Sequence, residues 1–327
     1  MHRIAPCAPY LPRRASDTNK YDYGRVLIVG GCIGYTGAPT LCARAALRCG
    51  AGLVSVGVPE AIYAVTAVKN DEVMPFPLPS AEGKLARDAL PVLLERLEKS
   101  DVCVLGPGLG RNDTLTALVQ AVVMQSGTPL VLDADALFAV AQDAAVLERA
   151  RAPIVLTPHD GEFARLAGPD KTGRAEAASD FAVRHGCTVV RKGPETVCAF
   201  PDGDAAVLRV GNPGMAKGGS GDVLAGMLGA LLCQMPARDA VQTAVCRALE
   251  KQGELKEPEA LRAWFYHILV HVCMDVLRSR KRVTLIPPEA LDAGSYEDPL
   301  PSDGTLAQRV DALPPEVGTI IKLRFYE

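Results

Sequence analysis

Gly211-Asn212-Pro213-Gly214-Met215-Ala216-Lys217-Gly218-Gly219-Ser220-Gly221-Asp222 places five glycines and one carboxylate in twelve residues. Val223-Leu224-Ala225-Gly226 continues the stretch as an apolar run with helical spacing. The pattern predicts a loop feeding a helix N-terminus. Glycine lets backbone amides come close to a ligand, and the helix end adds unpaired N–H groups and the positive pole of its dipole. Such a site suits phosphate. Asp222 would stand at its mouth, where a bound anion repels a carboxylate that has no chemical role. The structural alternative is that Asp222 caps the helix and the glycines only make a turn.

Upstream of this loop, short apolar runs alternate with helical patterns. Runs at 25–30, 53–58, 101–105, 129–132, 154–156 and 188–190 read as strands, and those at 197–200 and 205–210 flank the hairpin turn Pro201-Asp202-Gly203-Asp204. Residues 74–79 hold three prolines and read as an edge or loop. Helices are expected at about 40–49, 59–68, 85–99 and up to 125, the last capped by Asn112 or Asp113. Strand and helix alternate over residues 25–245, which predicts a mostly parallel sheet covered on both faces.

The unusual residues gather after strand ends, the edge where open α/β sheets bind ligands. They include Gly106-Pro107-Gly108-Leu109-Gly110, Asp133-Ala134-Asp135, Thr157-Pro158-His159 and Arg191-Lys192-Gly193-Pro194-Glu195-Thr196. Lys192 at a strand end is suited to a phosphate as a point charge, or is simply solvated. Asp133 and Asp135 either cap helices or hold Mg²⁺ through water. His159, one of five histidines, lies on the ligand edge and reads as a ligand contact, with a structural role as the alternative. The turn Gly31-Cys32-Ile33-Gly34-Tyr35-Thr36-Gly37 matches neither the dinucleotide fingerprint nor the phosphate loop of nucleotide hydrolases.

Composition narrows the class. The 327 residues are 48% hydrophobic with a net charge of −3, which suits a globular protein and carries no general nucleic-acid or membrane signature. No apolar run reaches the length of about 18 residues that reads as a membrane span. Residues 1–20 lack an apolar core and read as an arm rather than a secretory signal. Ten scattered cysteines without a CxxC pair read as buried thiols of a cytoplasmic protein.

In order, Gly34-Tyr35-Thr36-Gly37-Ala38-Pro39, Gly106 to Gly110, Asp133 to Leu137, Leu156 to His159 with Gly161-Glu162-Phe163, and Asn212 to Asp222 resemble the ADP-dependent NAD(P)H-hydrate dehydratases. That resemblance covers about residues 21–245 and implies a ribokinase-like three-layer α/β/α sandwich. It further implies repair of NADHX and NADPHX to NADH and NADPH. Ala38, Gly108, Gly110, His159 and Asp222 would contact the hydrated dinucleotide. Lys192, Gly193, Pro194, Glu195 and Thr196, with Gly219, Ser220 and Gly221, would contact ADP, which leaves as AMP. Asp222 would be the general base and Mg²⁺ would assist; the metal ligands are left open, with Asp133, through water, as a candidate. The family also implies a homo-oligomer, a tetramer. Some members carry an N-terminal epimerase domain, which is not expected here because the domain begins by Tyr21. The runner-up is a sugar or vitamin-alcohol kinase of the same fold.

After about residue 245 the chain departs from that pattern. Residues 247–327, with Trp264-Phe265-Tyr266 and the basic run Arg278-Ser279-Arg280-Lys281-Arg282, resemble a fragment of an extracytoplasmic-function sigma factor. Residues 283–304 read as its proline-bearing linker. The expected organisation is therefore an arm (1–20), a ribokinase-like domain (21–246) and a helical C-terminal appendage (247–327). The fragment ends before any helix-turn-helix, so nucleic-acid binding is not expected. An inactive chimera, or a fragment that binds RNA polymerase, is the reading of a different class.

Overall fold

The computed structural model describes residue 14 and residues 16–170, 172–208 and 215–250, with side chains up to 245. Asn212, Pro213 and Gly214 of the opening loop, most of the arm and all of 251–327 lie outside the described residues, as do the linker and the sigma-like reading.

The elements run β1 (Arg25–Val29), α1 (Gly37–Arg48), β2 (Leu53–Pro59), α2 (Tyr63–Val68), β3 (Met74–Leu78), β4 (Ser80–Ala81), β5 (Lys84–Leu85), α3 (Ala89–Glu98), β6 (Val102–Leu105), α4 (Asp113–Gln125), β7 (Leu130–Leu132), α5 (Asp135–Ala141), β8 (Ile154–Leu156), α6 (Asp160–Ala167), α7 (Arg174–His185), β9 (Thr188–Arg191), β10 (Thr196–Ala199), β11 (Ala205–Leu208), α8 (Ser220–Leu232) and α9 (Ala237–Glu250). Strands β11-β10-β9-β8-β7-β6-β1-β2-β3 form one sheet in that order. It is parallel from β3 to β9 and antiparallel at β10 and β11.

Alternation along the strands builds the layers. Val26 and Ile28 of β1, with Val102 and Val104 of β6, face one core with residues of α1, α8 and α9. Leu27 and Val29, with Cys103 and Leu105, face the other with residues of α3 to α7. Both faces of these strands are thus apolar, as a sheet covered on two sides requires. The result is a three-layer α/β/α sandwich.

Two expected elements shift. Within residues 74–79, Met74–Leu78 forms the edge strand β3, where proline is tolerated because one side of the strand has no partner. The helix expected from residue 85 begins at Ala89, because Lys84–Leu85 pairs with Ser80–Ala81 instead. Asn112 is the cap of α4, its side chain accepting from the Leu115 N–H at 2.7 Å.

Helix α8 lies unusually close to its neighbours. A methyl group on Gly226 would run into the Cys42 carbonyl of α1. One on Gly229 would come within 2.7 Å of Val104 Cγ2 and 3.2 Å of Val26 Cγ1. Glycine inside a helix costs about 1 kcal/mol each relative to alanine, and here the close packing of two layers offsets it.

Candidate active site

The chain lays down β1, β2 and β3 outwards and then returns to place β6 on the other side of β1. This reversal is a topological switch point, and in open α/β sheets the crevice beside such a point is where ligands bind. The Gly31 N–H donates to the Pro107 carbonyl at 2.9 Å and ties the two loops at their base. Farther out, Gly108 (φ +64°) faces α1. A Cβ there would lie 3.0 Å from Tyr35 Cβ and 3.1 Å from Ala38 Cβ. Ala38 and Gly108, paired by the resemblance, are therefore in contact at the switch point. Gly110 stands beside them, held by its N–H donating to Asp135 Oδ2 at 2.9 Å. Asp135 also accepts from Arg111 Nε at 2.7 Å, so its carboxylate clamps the glycine loop.

Asp133 takes a different course although it is two residues away. The intervening Ala134 has φ +51°, a conformation that costs an ordinary residue about 1–3 kcal/mol. That twist sends the neighbouring carboxylates to different partners. Asp133, 2% exposed, accepts from Thr157 Oγ1 at 2.6 Å and from Lys192 Nζ at 2.8 Å, both at its Oδ1. Lys192 Nζ also lies 3.9 Å from Glu162 Oε2. Burial alone would lower the Lys192 pKa, but the charges of Asp133 and Glu162 hold it above its ordinary value.

This ion-pair cluster meets the N-terminus of α8. A Cβ on Gly221 would lie 3.3 Å from Lys192 Nζ and 3.7 Å from Asp133 Oδ2, so the helix start comes close to the ion pair here. Gly219 (φ +98°) caps the helix over Leu41 of α1. Ser220, Gly221 and Asp222 form the first turn, whose leading amides have no partner within the helix. Asp222 is pushed up to about 6, first by burial and then by the Asp133 carboxylate, with Lys192 opposing.

His159 is the N-cap of α6. Its Nδ1 accepts from the N–H groups of Gly161 (3.1 Å) and Glu162 (3.3 Å), while Glu162 Oε2 accepts from the His159 N–H at 2.9 Å. This reciprocal arrangement is a capping box. It fixes the ring by Nδ1 and leaves Nε2 as the protonated nitrogen, on a side chain 57% exposed. His159 and Lys192 are bridged as neighbouring strand ends, with the Lys192 N–H donating to the Pro158 carbonyl at 2.8 Å. Beyond Lys192, Gly193 and Pro194 lead to Thr196, whose Oγ1 donates to the Gly193 carbonyl at 3.2 Å.

The anticipated residues therefore form two joined groups. Ala38, Gly108 and Gly110 line the switch-point crevice. Asp133, Lys192, Gly221 and Asp222 cluster around the start of α8, His159 is joined to them through its strand-end bridge to Lys192, and the contact of α1 with α8 connects the groups. Sequence reasoning assigned no role to Thr157, Asp160, Glu162 or Arg174. Glu162 carried a signal, three residues after a capping position; Arg174 carried none.

Among the described residues no group of three or more His, Cys, Asp or Glu is arranged to hold a metal. Asp133 nevertheless keeps Oδ2 directed to the α8 terminus, a donor set that fits a cation held mainly by phosphate and water. No described helix is long and apolar enough to cross a membrane.

A covered parallel sheet, a switch-point crevice and a glycine-rich helix start with a raised carboxylate define a ribokinase-like protein. A family model described as NAD(P)H-hydrate dehydratase matches residues 26–267. The chain belongs to the NAD(P)H-hydrate dehydratase family.

Its similarity to the bifunctional NAD(P)H-hydrate repair enzyme Nnr of Moorella thermoacetica is 46% identity over 233 residues, 70% of this chain and 44% of that one. The ADP-dependent (S)-NAD(P)H-hydrate dehydratase of Neisseria meningitidis is 35% identical over 228 residues, 68% of this chain and 73% of the other. The crystal structure of the ADP/ATP-dependent NAD(P)H-hydrate dehydratase of Bacillus subtilis, co-crystallised with ATP and Mg²⁺, has a TM-score of 0.66. It is 28% identical, with 81% of this chain and 94% of that one covered. The chain spans about half the length of the bifunctional relatives it matches. No support for the sigma-factor reading of residues 247–327 comes from these matches.

Proposed function

We propose that the protein is an ADP-dependent NAD(P)H-hydrate dehydratase, acting on (6S)-NADHX and NADPHX. One observation carries the reading: Asp222, raised to about 6, stands on a glycine-rich helix start that faces the Lys192–Asp133 pair. That cluster supplies a proton acceptor and phosphate-binding amides together.

The hydrated ring would lie against the surface that Ala38 and Gly108 form together, with Gly110 and His159 contributing further contacts. ADP lies along the turn from Lys192 to Thr196, its terminal phosphate on the amides of Gly219, Ser220 and Gly221. Asp222 takes the proton of the C6 hydroxyl. The oxygen attacks the terminal phosphorus, and the bond to AMP breaks. The ring nitrogen lone pair then expels phosphate from C6, and loss of a C5 proton restores the C5=C6 double bond. Mg²⁺, when bound, neutralises charge on the transferring phosphate, with Asp133 reaching it through water. Lys192 is a fixed cation within the same wall.

A sugar or vitamin-alcohol kinase would use the same helix start, and the family match disfavours it. The domain reading keeps 21–246 as the catalytic unit and assembles it as a homo-oligomer.

The deciding experiment mixes purified protein with (6S)-NADHX and ADP and follows the absorbance of regenerated NADH. Turnover that requires ADP supports the proposal. No turnover with ADP or ATP overturns it.

A further inference from the structure

We infer that Arg174 is the positioning residue that shapes the Lys192–Thr196 turn and so sets nucleotide affinity, an inference that rests on the nucleotide reading of that turn above. Arg174 opens α7. Its Nη2 donates to the carbonyls of Lys192 (2.7 Å) and Arg191 (3.1 Å), and its Nε donates to the Glu195 carbonyl (3.0 Å). Its Nη1 donates to the Asp160 carboxylate. One guanidinium thus gathers three main-chain carbonyls from both sides of Gly193 and Pro194.

Peptide geometry makes this consequential. In a trans peptide the carbonyl and the following N–H point in opposite directions. With the Lys192 carbonyl turned onto Arg174, the Gly193 N–H is turned away from it. A backbone N–H so directed is a donor suited to a phosphate oxygen.

Gly193 supplies an independent observation. A Cβ there would run into the Arg174 guanidinium, so the absence of a side chain at 193 is what seats Arg174. The seat is fixed from below as well. Asp160 is shared with Arg191 Nε at 2.8 Å, and Asp170 holds Arg191 at 2.9 and 2.7 Å. Arg191 in turn lies 4.3 Å over the Phe163 ring. Arginine suits this place because its planar fork carries five donors, whereas a lysine ammonium is a single point.

The test measures ADP binding by calorimetry without hydrate, then separate KM values for ADP and NADPHX, on wild type, R174A, R174K and G193A. R174A is expected to weaken ADP binding about ten-fold or more, with the KM for NADPHX unchanged and R174K intermediate. If R174A does not fold, G193A, which keeps the charge but displaces it, is expected to show the same selective loss. ADP affinity equal to wild type in a folded variant overturns the inference, as does equal weakening towards both substrates. A wild-type protein that binds no ADP overturns the nucleotide reading itself, which separates the two failures.

Discussion

Lys192 Nζ stands 2.8 Å from Asp133 Oδ1, and the first turn of α8 passes close to the pair at Gly221. The proposed base, Asp222, therefore titrates in the field of two fixed opposite charges. Asp133 raises it and Lys192 lowers it.

Removing the base tests its role and its cost together. D222N is expected to lose about a thousand-fold or more in kcat, with substrate binding retained. The folded-state pKa of about 6 lies above the ordinary 3.8, so protonation stabilises the fold, and that contribution is lost as pH rises between these values. An amide is neutral throughout. D222N should thus be more stable than wild type at pH 7, by about 3 kcal/mol, and show no advantage below pH 4. Calorimetric melts at the two pH values measure this.

The pH profile should report the same group. With Asp222 as base, kcat/KM rises through about pH 6 and is level above it. D133N, which removes a neighbouring negative charge, should move the inflection to lower pH. K192Q, which removes the positive one, should move it to higher pH. An inflection that stays in place in both variants assigns the titration to another group.

Loss of Lys192 also leaves Asp133 without its cation. Asp133 is 2% exposed, and an uncompensated buried charge costs about 3–5 kcal/mol. K192A should therefore unfold at distinctly lower denaturant concentration, and the double variant K192A/D133A should recover part of that loss. A double variant no more stable than K192A rejects the pairing as the source.

Ala134 holds its φ of +51° without the freedom of glycine. A134G should be more stable than wild type by about 1 kcal/mol, because relief of strain exceeds the added flexibility of the unfolded chain. A134V should be less stable. Thermal melts of the pair check the direction, and a destabilised A134G would mean that residue 134 is not strained.

The contact between α1 and α8 gives a prediction in the core. In G226A the new methyl meets the Cys42 carbonyl, and overpacking of this kind costs about 1–3 kcal/mol. Activity should fall along with stability, since Asp222 is displaced with its helix.

Much of this was legible from residue order alone. Apolar runs such as Arg25–Val29 and Val102–Leu105 announce buried parallel strands, and glycines after them announce the binding edge. Asp222 and Lys192 were found because a charge after an apolar strand or a glycine loop breaks the local pattern. The roles of partners were not legible. Thr157 and Asp133 lie 24 residues apart, Arg174 and Lys192 18 apart, and only the crossing of the chain brings them together. His159 was read as a ligand contact, and its Nδ1 is engaged in capping α6, a role the Glu at 162 announced. Asp135, read as a cap or a metal contact, clamps Gly110 and Arg111. The small β4–β5 ladder was missed because two-residue strands carry no periodicity.

The missing side chain at Gly226 has a mechanical consequence. Backbone meets backbone where α8 crosses α1, so the wall bearing Ala38 and the wall bearing Asp222 behave as one stiff jaw. The turn after Lys192 belongs to a different seam, hung by hydrogen bonds from Arg174, which Asp160 holds in place. On the proposed reading that one jaw would hold the hydrated ring at Ala38 and the transferring phosphate at the start of α8 in fixed register, while the Lys192 turn would hold the rest of ADP from the other seam.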